Sequence, residues 1–138
     1  MTQYLLDSNA CIRHLNGRAS NLTARLKTVD PNQLAVCSVV KAELFFGSAR
    51  SQNPTKSRQV QDEFLNGLIS LPFDDAAAEQ YAHIRANLTT SGTLIGPNDL
   101  LIAAIALANN RILVTNNTDE FGRVKGLRLE DWELSPQA

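Results

Sequence analysis

Short apolar runs alternate with longer stretches of helical period along this chain. Tyr4-Leu5-Leu6, Leu34 to Cys37 and Ile112-Leu113-Val114-Thr115 are too short for helices and show no 3.6-residue spacing. Such runs read as strands buried on both faces of a parallel sheet. Leu71 to Phe73 and Leu127 to Leu129 add two further short strands, the second at an edge. Between them the apolar positions recur at helical spacing. Ala10, Cys11, Ile12 and Leu15 start a short helix over Ala10 to Asn16, ended by Gly17, with Ser8 and Asn9 as N-cap types. Leu22, Leu26 and Val29 mark a helix over Asn21 to Val29, stopped by Asp30-Pro31-Asn32. Ser38 caps a helix through Phe45 and Phe46, with Gly47 as its stop. Helices over Lys56 to Ile69 and Asp74 to Leu88 follow, separated from their neighbours by the polar loops Ser51 to Thr55 and Thr89 to Pro97. Asp99 to Ala108 is apolar nearly all round and should be buried. Asn116 to Phe121 reads as a turn, and Pro136-Gln137-Ala138 as a frayed end. Strands alternating with helices predict an α/β fold with a doubly wound, mostly parallel sheet.

With 138 residues, 43% hydrophobic and 20% charged, the chain suits one globular domain spanning residues 1–138. The net charge of −1 argues against a broad basic surface of the kind non-specific nucleic-acid binders carry. It leaves room for a nucleic-acid enzyme with a local acidic site and a basic rim. Cys11 and Cys37 lie in apolar runs without CxxC partners, so they read as small buried hydrophobes in a reducing compartment. No apolar stretch reaches membrane-spanning length, and no basic region followed by an apolar core opens the chain. The expected location is the cytoplasm, away from membranes.

The candidate chemistry lies in the acids. Asp7 ends the first strand, where ligands bind in open α/β sheets. A carboxylate there either caps backbone amides or holds a metal. Asp99 opens the buried helix, Glu43 sits in the helix after the second strand, and Asp119 and Glu120 follow the strand ending at Thr115. A parallel sheet gathers all of these at its carboxyl edge. Clustered carboxylates raise one another's pKa values, and a divalent cation relieves the repulsion. Hard oxygen ligands suit magnesium or manganese, which can activate a water and neutralise a phosphoryl group. Each residue also has an ordinary explanation: Asp99 as a helix-start charge, Glu43 as an exposed helical residue, Asp119 and Glu120 as turn acids. His14 and His83 lack companion ligands and read as surface or core-edge residues.

In combination these segments resemble a known family. Leu6-Asp7-Ser8-Asn9, Lys41-Ala42-Glu43-Leu44-Phe45-Phe46-Gly47, Gly96-Pro97-Asn98-Asp99-Leu100-Leu101-Ile102-Ala103 and Val114-Thr115-Asn116-Asn117-Thr118-Asp119-Glu120-Phe121 occur in order and without a large insertion. The pattern resembles the PIN-domain ribonucleases, and within them the VapC toxins of bacterial toxin–antitoxin pairs. Gly126-Leu127-Arg128-Leu129-Glu130-Asp131-Trp132 is similar to the end of the subgroup that cuts initiator tRNA. The resemblance implies a three-layer α/β/α domain. It makes Asp7 and Asp99 metal ligands, with Glu43 and Glu120 completing a catalytic set of four. Asn117 stands where many PIN domains have aspartate, and is assigned a supporting role beside the favoured Glu120. Asn9 and Thr115 are expected to orient the site through hydrogen bonds. Ser8 replaces the family's usual threonine and keeps the hydroxyl.

The implied activity is a magnesium-dependent (or manganese-dependent) endoribonuclease cutting initiator tRNA in the anticodon stem-loop and leaving a 5′-phosphate and a 3′-hydroxyl. The implied partners are a VapB-type antitoxin, whose helix would lie in an apolar groove lined by residues such as Phe45 and Phe46, and a second copy in a homodimer. Arg13, Lys41, Arg123 and Lys125 are the cations nearest in sequence to the acids and are candidates for an RNA-binding rim. Other readings are a PIN ribonuclease acting on messenger or ribosomal RNA, and a PIN-like module without catalysis. A haloacid-dehalogenase-type phosphatase would need an aspartate where Asn9 stands.

Overall fold

The computed structural model describes residues 2–135. Five strands form one sheet in the order β3-β2-β1-β4-β5, and every pairing is parallel. The strands are β1 (Tyr4–Leu6), β2 (Leu34–Cys37), β3 (Ile69–Leu71), β4 (Ile112–Val114) and β5 (Leu129–Glu130). The helices are α1 (Ser8–Leu15), α2 (Ser20–Thr28), α3 (Ser38–Ala49), α4 (Pro54–Leu65), α5 (Asp75–Ser91), α6 (Pro97–Ala108) and α7 (Thr118–Phe121), which flank the sheet.

The three central strands are buried along their whole length, as their unbroken apolar sequences require. β1 pairs Tyr4 with both Leu34 and Ile112, so the chain leaves β1 toward β2 on one side and returns through β4 on the other. That reversal of strand order creates a crevice at the carboxyl edge between β1 and β4. α6 buries Leu100 and the unbroken run from Ile102 to Ala106, which matches its apolar surround in sequence. At the opposite edge Arg111 is buried and donates through Nη1 to the carbonyls of Tyr4 and Gln33, tying β1 to the approach to β2.

Several element boundaries differ from the sequence expectation. Gly47 does not stop α3: it has no positive φ, and the helix runs on to Ala49 while buried Ser48 donates to the Pro54 carbonyl. α4 begins at Pro54 under an Asn53 cap and ends at Leu65, short of Ile69. The third strand is therefore Ile69–Leu71 and not Leu71–Phe73, because Ile69 and Leu71 pair with Ala35 and Cys37 of β2. α5 continues to Ser91, where Gly92 at φ 68° supplies the left-handed terminus. α6 starts at Pro97, two residues before Asp99, as Pro at a first helical position favours. The Asn116–Phe121 turn holds a four-residue helix, and the last strand is Leu129–Glu130, set by pairing of Leu113 with Leu129. Residues 136–138, the expected frayed end, lie outside the described residues. No helix among the described residues is long and apolar enough to cross a membrane.

Candidate active site

Asp7 leaves β1 with its backbone amide still bonded to the Val114 carbonyl at 3.2 Å. It is the N-cap of α1, so the helix starts at Ser8 and not at Ala10. One carboxylate oxygen, Oδ1, accepts from the Ala10 amide at 2.8 Å. The carboxylate also accepts from the Thr115 hydroxyl, and Thr115 Oγ1 in turn accepts from the Asn117 amide at 2.9 Å. The side chain is buried, and this raises its pKa from 3.8 to about 6 against the opposing effect of those hydrogen bonds; the charges of Glu43 and Glu133 add to the rise.

Glu43 points from α3 toward α1, where Ser8 Oγ donates to its Oε1 at 2.5 Å. Its charge raises the pKa of both Asp7 and Asp99, so it lies within electrostatic reach of each. Asp99 lies in the first turn of α6, half-buried. Burial, then the hydrogen bond and charge of Glu120, then Glu43 and Asp7, raise its pKa to about 7. Glu120, in α7, is shifted the other way: Asn117 Nδ2 donates to its Oε2 at 2.9 Å, and the Asp99 carboxyl donates to it as well. Asp99 and Glu120 therefore share one proton near neutral pH, with Asp99 the carrier, because it is the more deeply buried and Glu120 has a second donor.

The structure thus brings Asp7, Glu43, Asp99 and Glu120 to one sheet edge, with Thr115 bonded to Asp7 and Asn117 bonded to Glu120. Asn9 is exposed in the first turn of α1 and bonds to none of these acids among the described residues. Asp119 points to solvent and pairs only with Arg123 at 3.5 Å. His14 is bonded to Thr23 and packed on Phe64, away from the acids. Cys11 and Cys37 are buried free thiols whose pKa values burial pushes up, so both stay protonated. Of the expected rim, Arg13 is paired with Glu133 at 2.6 Å and Lys41 donates to Ser70 Oγ. Glu133 escaped sequence reasoning. It reaches the neighbourhood of Asp7 only because the tail after β5 folds back across α1, and no local motif signals that contact.

Two clefts open on the surface, and one of them borders the acids. An apolar one of about 530 Å³ opens beside Glu43 between α1, α3 and α4 and is lined by Ile12, Leu15, Leu44 and Val60. Phe45 and Phe46 do not line it. Phe45 lies under the Arg58 guanidinium, 3.4 Å from its ring centroid, and Phe46 projects into solvent. The second cleft, polar and about 460 Å³, lies between α5 and the segment after α7.

The donor set at the sheet edge is entirely carboxylate oxygen, with a proton retained because two acids stand too close to ionise together. That chemistry fits a hard divalent cation. Among the described residues no three acids already close around a single ion, so the fit is to a cation held by one or two carboxylates and otherwise by water, as magnesium commonly is.

Residues 4–127 match the PIN domain family. The tRNA(fMet)-specific endonuclease VapC of Shigella flexneri is 37% identical over 132 residues, covering 96% of this chain and 99% of that one. Among solved structures, VapBC2 from Rickettsia felis bound to a promoter DNA fragment superposes with a TM-score of 0.89 at 36% identity, covering 95% of this chain and 99% of that one. DNA-bound VapBC from Salmonella typhimurium gives a TM-score of 0.90 at 33% identity, over 96% and 99% of the two chains.

Proposed function

This chain belongs to the PIN-domain family, in its VapC ribonuclease branch, and on that premise we propose that it is a magnesium-dependent endoribonuclease that cuts initiator tRNA in the anticodon stem-loop. The observation that carries the metal dependence is the Asp99–Glu120 pair. Two carboxylates that must share a proton at the mouth of a buried helix, beside buried Asp7 and Glu43, form a pocket whose charge lacks a cation. Asp7 and Asp99 would hold magnesium or manganese. When bound, the cation supplies charge neutralisation at the scissile phosphate and a lowered pKa for the attacking water.

The chain's own groups do the rest. Asp7 is held in one rotamer by the Ala10 amide and Thr115, so its second coordination direction is fixed before any ligand arrives. Ser8 fixes Glu43, and Asn117 fixes Glu120. Glu120, the more exposed of its pair and the one held ionised, is placed to accept a proton from the attacking water. Asp99, the proton carrier of the pair, would be held ionised where it ligates a cation.

The coarser partner assignment follows the VapBC complexes among the structural neighbours. A VapB-type antitoxin would lay an apolar helix in the Ile12–Leu44–Val60 cleft and, lying next to Glu43, cover the acids. The free toxin would act in the cytoplasm as a homodimer. The tRNA assignment rests on the similarity to the Shigella enzyme and on the Gly126–Trp132 tail.

Sequencing RNA 5′ ends after brief induction without antitoxin tests both levels. One dominant cut in the initiator tRNA anticodon loop, lost in Asp99→Asn, is expected. Scattered cuts in messenger or ribosomal RNA with intact tRNA would overturn the substrate while leaving the nuclease. No new ends under magnesium or manganese would favour the inactive partner-binding reading.

A further inference from the structure

The polar cleft between α5 and the segment after α7 has an unusual lining. His83, Asn87, Thr90 and Thr93 stand on one wall and Arg123 and Lys125 on the other, and no carboxylate lines it. In a chain of net charge −1 with 14 acids, a 460 Å³ cleft whose charged lining residues are Arg123 and Lys125, the rest being neutral polar or apolar, is a local reversal of sign. Both walls are joined along the chain to residues of the acid cluster. Thr93 is followed by Ile95-Gly96 and then the first turn of α6, which carries Asp99. Arg123 follows Glu120 by three residues, and its amide bonds the Glu120 carbonyl at 3.1 Å. Its floor is apolar and rigid, built from buried Ile84, Leu88 and Val124.

We propose that this cleft binds the phosphate backbone of the RNA flanking the scissile bond, with Lys125, Arg123 and the amide and hydroxyl groups of Asn87, Thr90 and Thr93 as its contacts. The inference rests on the ribonuclease reading and names how that site holds its substrate. Charge complementarity selects the ligand: a polyanion gains from Arg123 and Lys125, and no carboxylate is among the residues that line the cleft. The neutral donors suit phosphate oxygens and ribose hydroxyls, which carry most backbone recognition. Arg123 serves both regions. Among the described residues its only ion pair is with a solvent-exposed Asp119 at 3.5 Å, a contact of little strength that a phosphate can displace. The cleft on the Glu43 side has one cation, Lys56, beside the Glu43 carboxylate and a mainly apolar surface, so it suits a polyanion less well than it suits an apolar helix.

The test uses the full chain and a labelled folded tRNA transcript, with binding read by fluorescence anisotropy in EDTA so that cleavage does not intervene. Lys125→Gln should weaken binding a few-fold and reduce the slope of log Kd against log salt by roughly 0.7–0.9, the value of one lost phosphate contact. Lys125→Glu and Asn87→Asp should each weaken it about tenfold or more, with the melting temperature unchanged because both positions are exposed. In steady-state cleavage with magnesium the same variants should raise KM and leave kcat near wild type. Unchanged affinity and salt slope in all three would overturn the proposal, as would loss of antitoxin co-purification with RNA binding intact, which would make the cleft a protein site. A wild type that binds tRNA through Lys125 but cuts nothing would sink the nuclease reading and leave the cleft standing. A wild type that cuts RNA with Lys125→Glu indistinguishable would do the reverse.

Discussion

Replacing Asp7 by Asn should make the metal-free protein more stable and inactive at once. Burial lifts the Asp7 pKa from 3.8 to about 6. At about 1.4 kcal/mol per pH unit, holding the ionised carboxylate in the fold costs about 3 kcal/mol at pH 7.5. The sign follows from proton binding. Between these two pKa values the folded chain keeps a proton that the unfolded chain has lost, so this group's contribution is fully present below pH 4 and is lost as pH rises through 6. Asn is nearly isosteric, its carbonyl oxygen can still cap the Ala10 amide, and the Thr115 hydroxyl can turn to accept from the new amide. If relaxation recovers half of the cost, Asp7→Asn should still raise the Tm by roughly 5 °C at pH 7.5 in EDTA. At pH 4.5 the folded aspartate is largely protonated, and the gain should fall to roughly a third. Magnesium should reverse the order, stabilising wild type by mass action and leaving the variant unmoved. Calorimetry at two pH values, with EDTA and with millimolar magnesium, gives the four measurements. A variant that is less stable than wild type at pH 7.5 in EDTA, or one that gains as much at pH 4.5, would refute the buried-charge argument. A wild type indifferent to magnesium and manganese would refute the cation site.

Glu120→Gln should lower the single-turnover rate by about 10²–10⁴-fold, the range for a positioned acid–base or electrostatic group, while Asn117→Ala, which removes one donor to Glu120, should cost less. The reverse order would move the fourth catalytic position to Asn117. Ser8→Thr should retain near-wild-type cleavage because it keeps the hydroxyl that holds Glu43. Ser8→Ala should lose about 10–100-fold, the worth of a hydrogen bond to a charged group; equal rates for the two would show that the Ser8–Glu43 bond does not matter to turnover.

Strand type, the parallel sheet and the gathering of acids were legible in the sequence because each rests on a local signal, whereas the strand order came only with the structure. A three-residue apolar run between polar segments has few alternatives to a buried parallel strand, and Asp7 and Glu43 each stand close after one. Asp99 was legible from the conflict between a charge and the all-apolar helix it opens. Boundaries were less legible because partners elsewhere decide them. Ile69 looked helical in sequence but pairs with Ala35, 34 residues away in the chain. Gly47 looked like a stop, yet the packing of Ser48 against the Pro54 turn carries the helix past it. The resemblance implies an antitoxin groove lined by residues such as Phe45 and Phe46, and neither of them lines the apolar cleft beside Glu43. Helical phase turns Phe45 to Arg58 and Phe46 outward, and leaves Leu44 to line the groove. Glu133 had no sequence signal at all, since its role depends on where the tail crosses α1.

In sequence, Asp7 poses a choice between helix cap and cation ligand, and the structure shows the cap in a form compatible with the proposed ligand role. Oδ1 serves the Ala10 amide, so the cap fixes the side-chain rotamer and aims the carboxylate at the space shared with Glu43 and Asp99. A free carboxylate would have to lose rotamer freedom on meeting a cation; this one has lost it on folding, when α1 formed. The same arrangement explains why burial is tolerated. Two hydrogen bonds offset part of the desolvation, and the remaining cost is what a divalent cation can recover. A residue whose structural role depends on its shape and whose chemical role depends on its charge can have the two separated by one isosteric change, and for that reason position 7 distinguishes a working metal site from a stabilising cap more sharply than any other acid in the cluster.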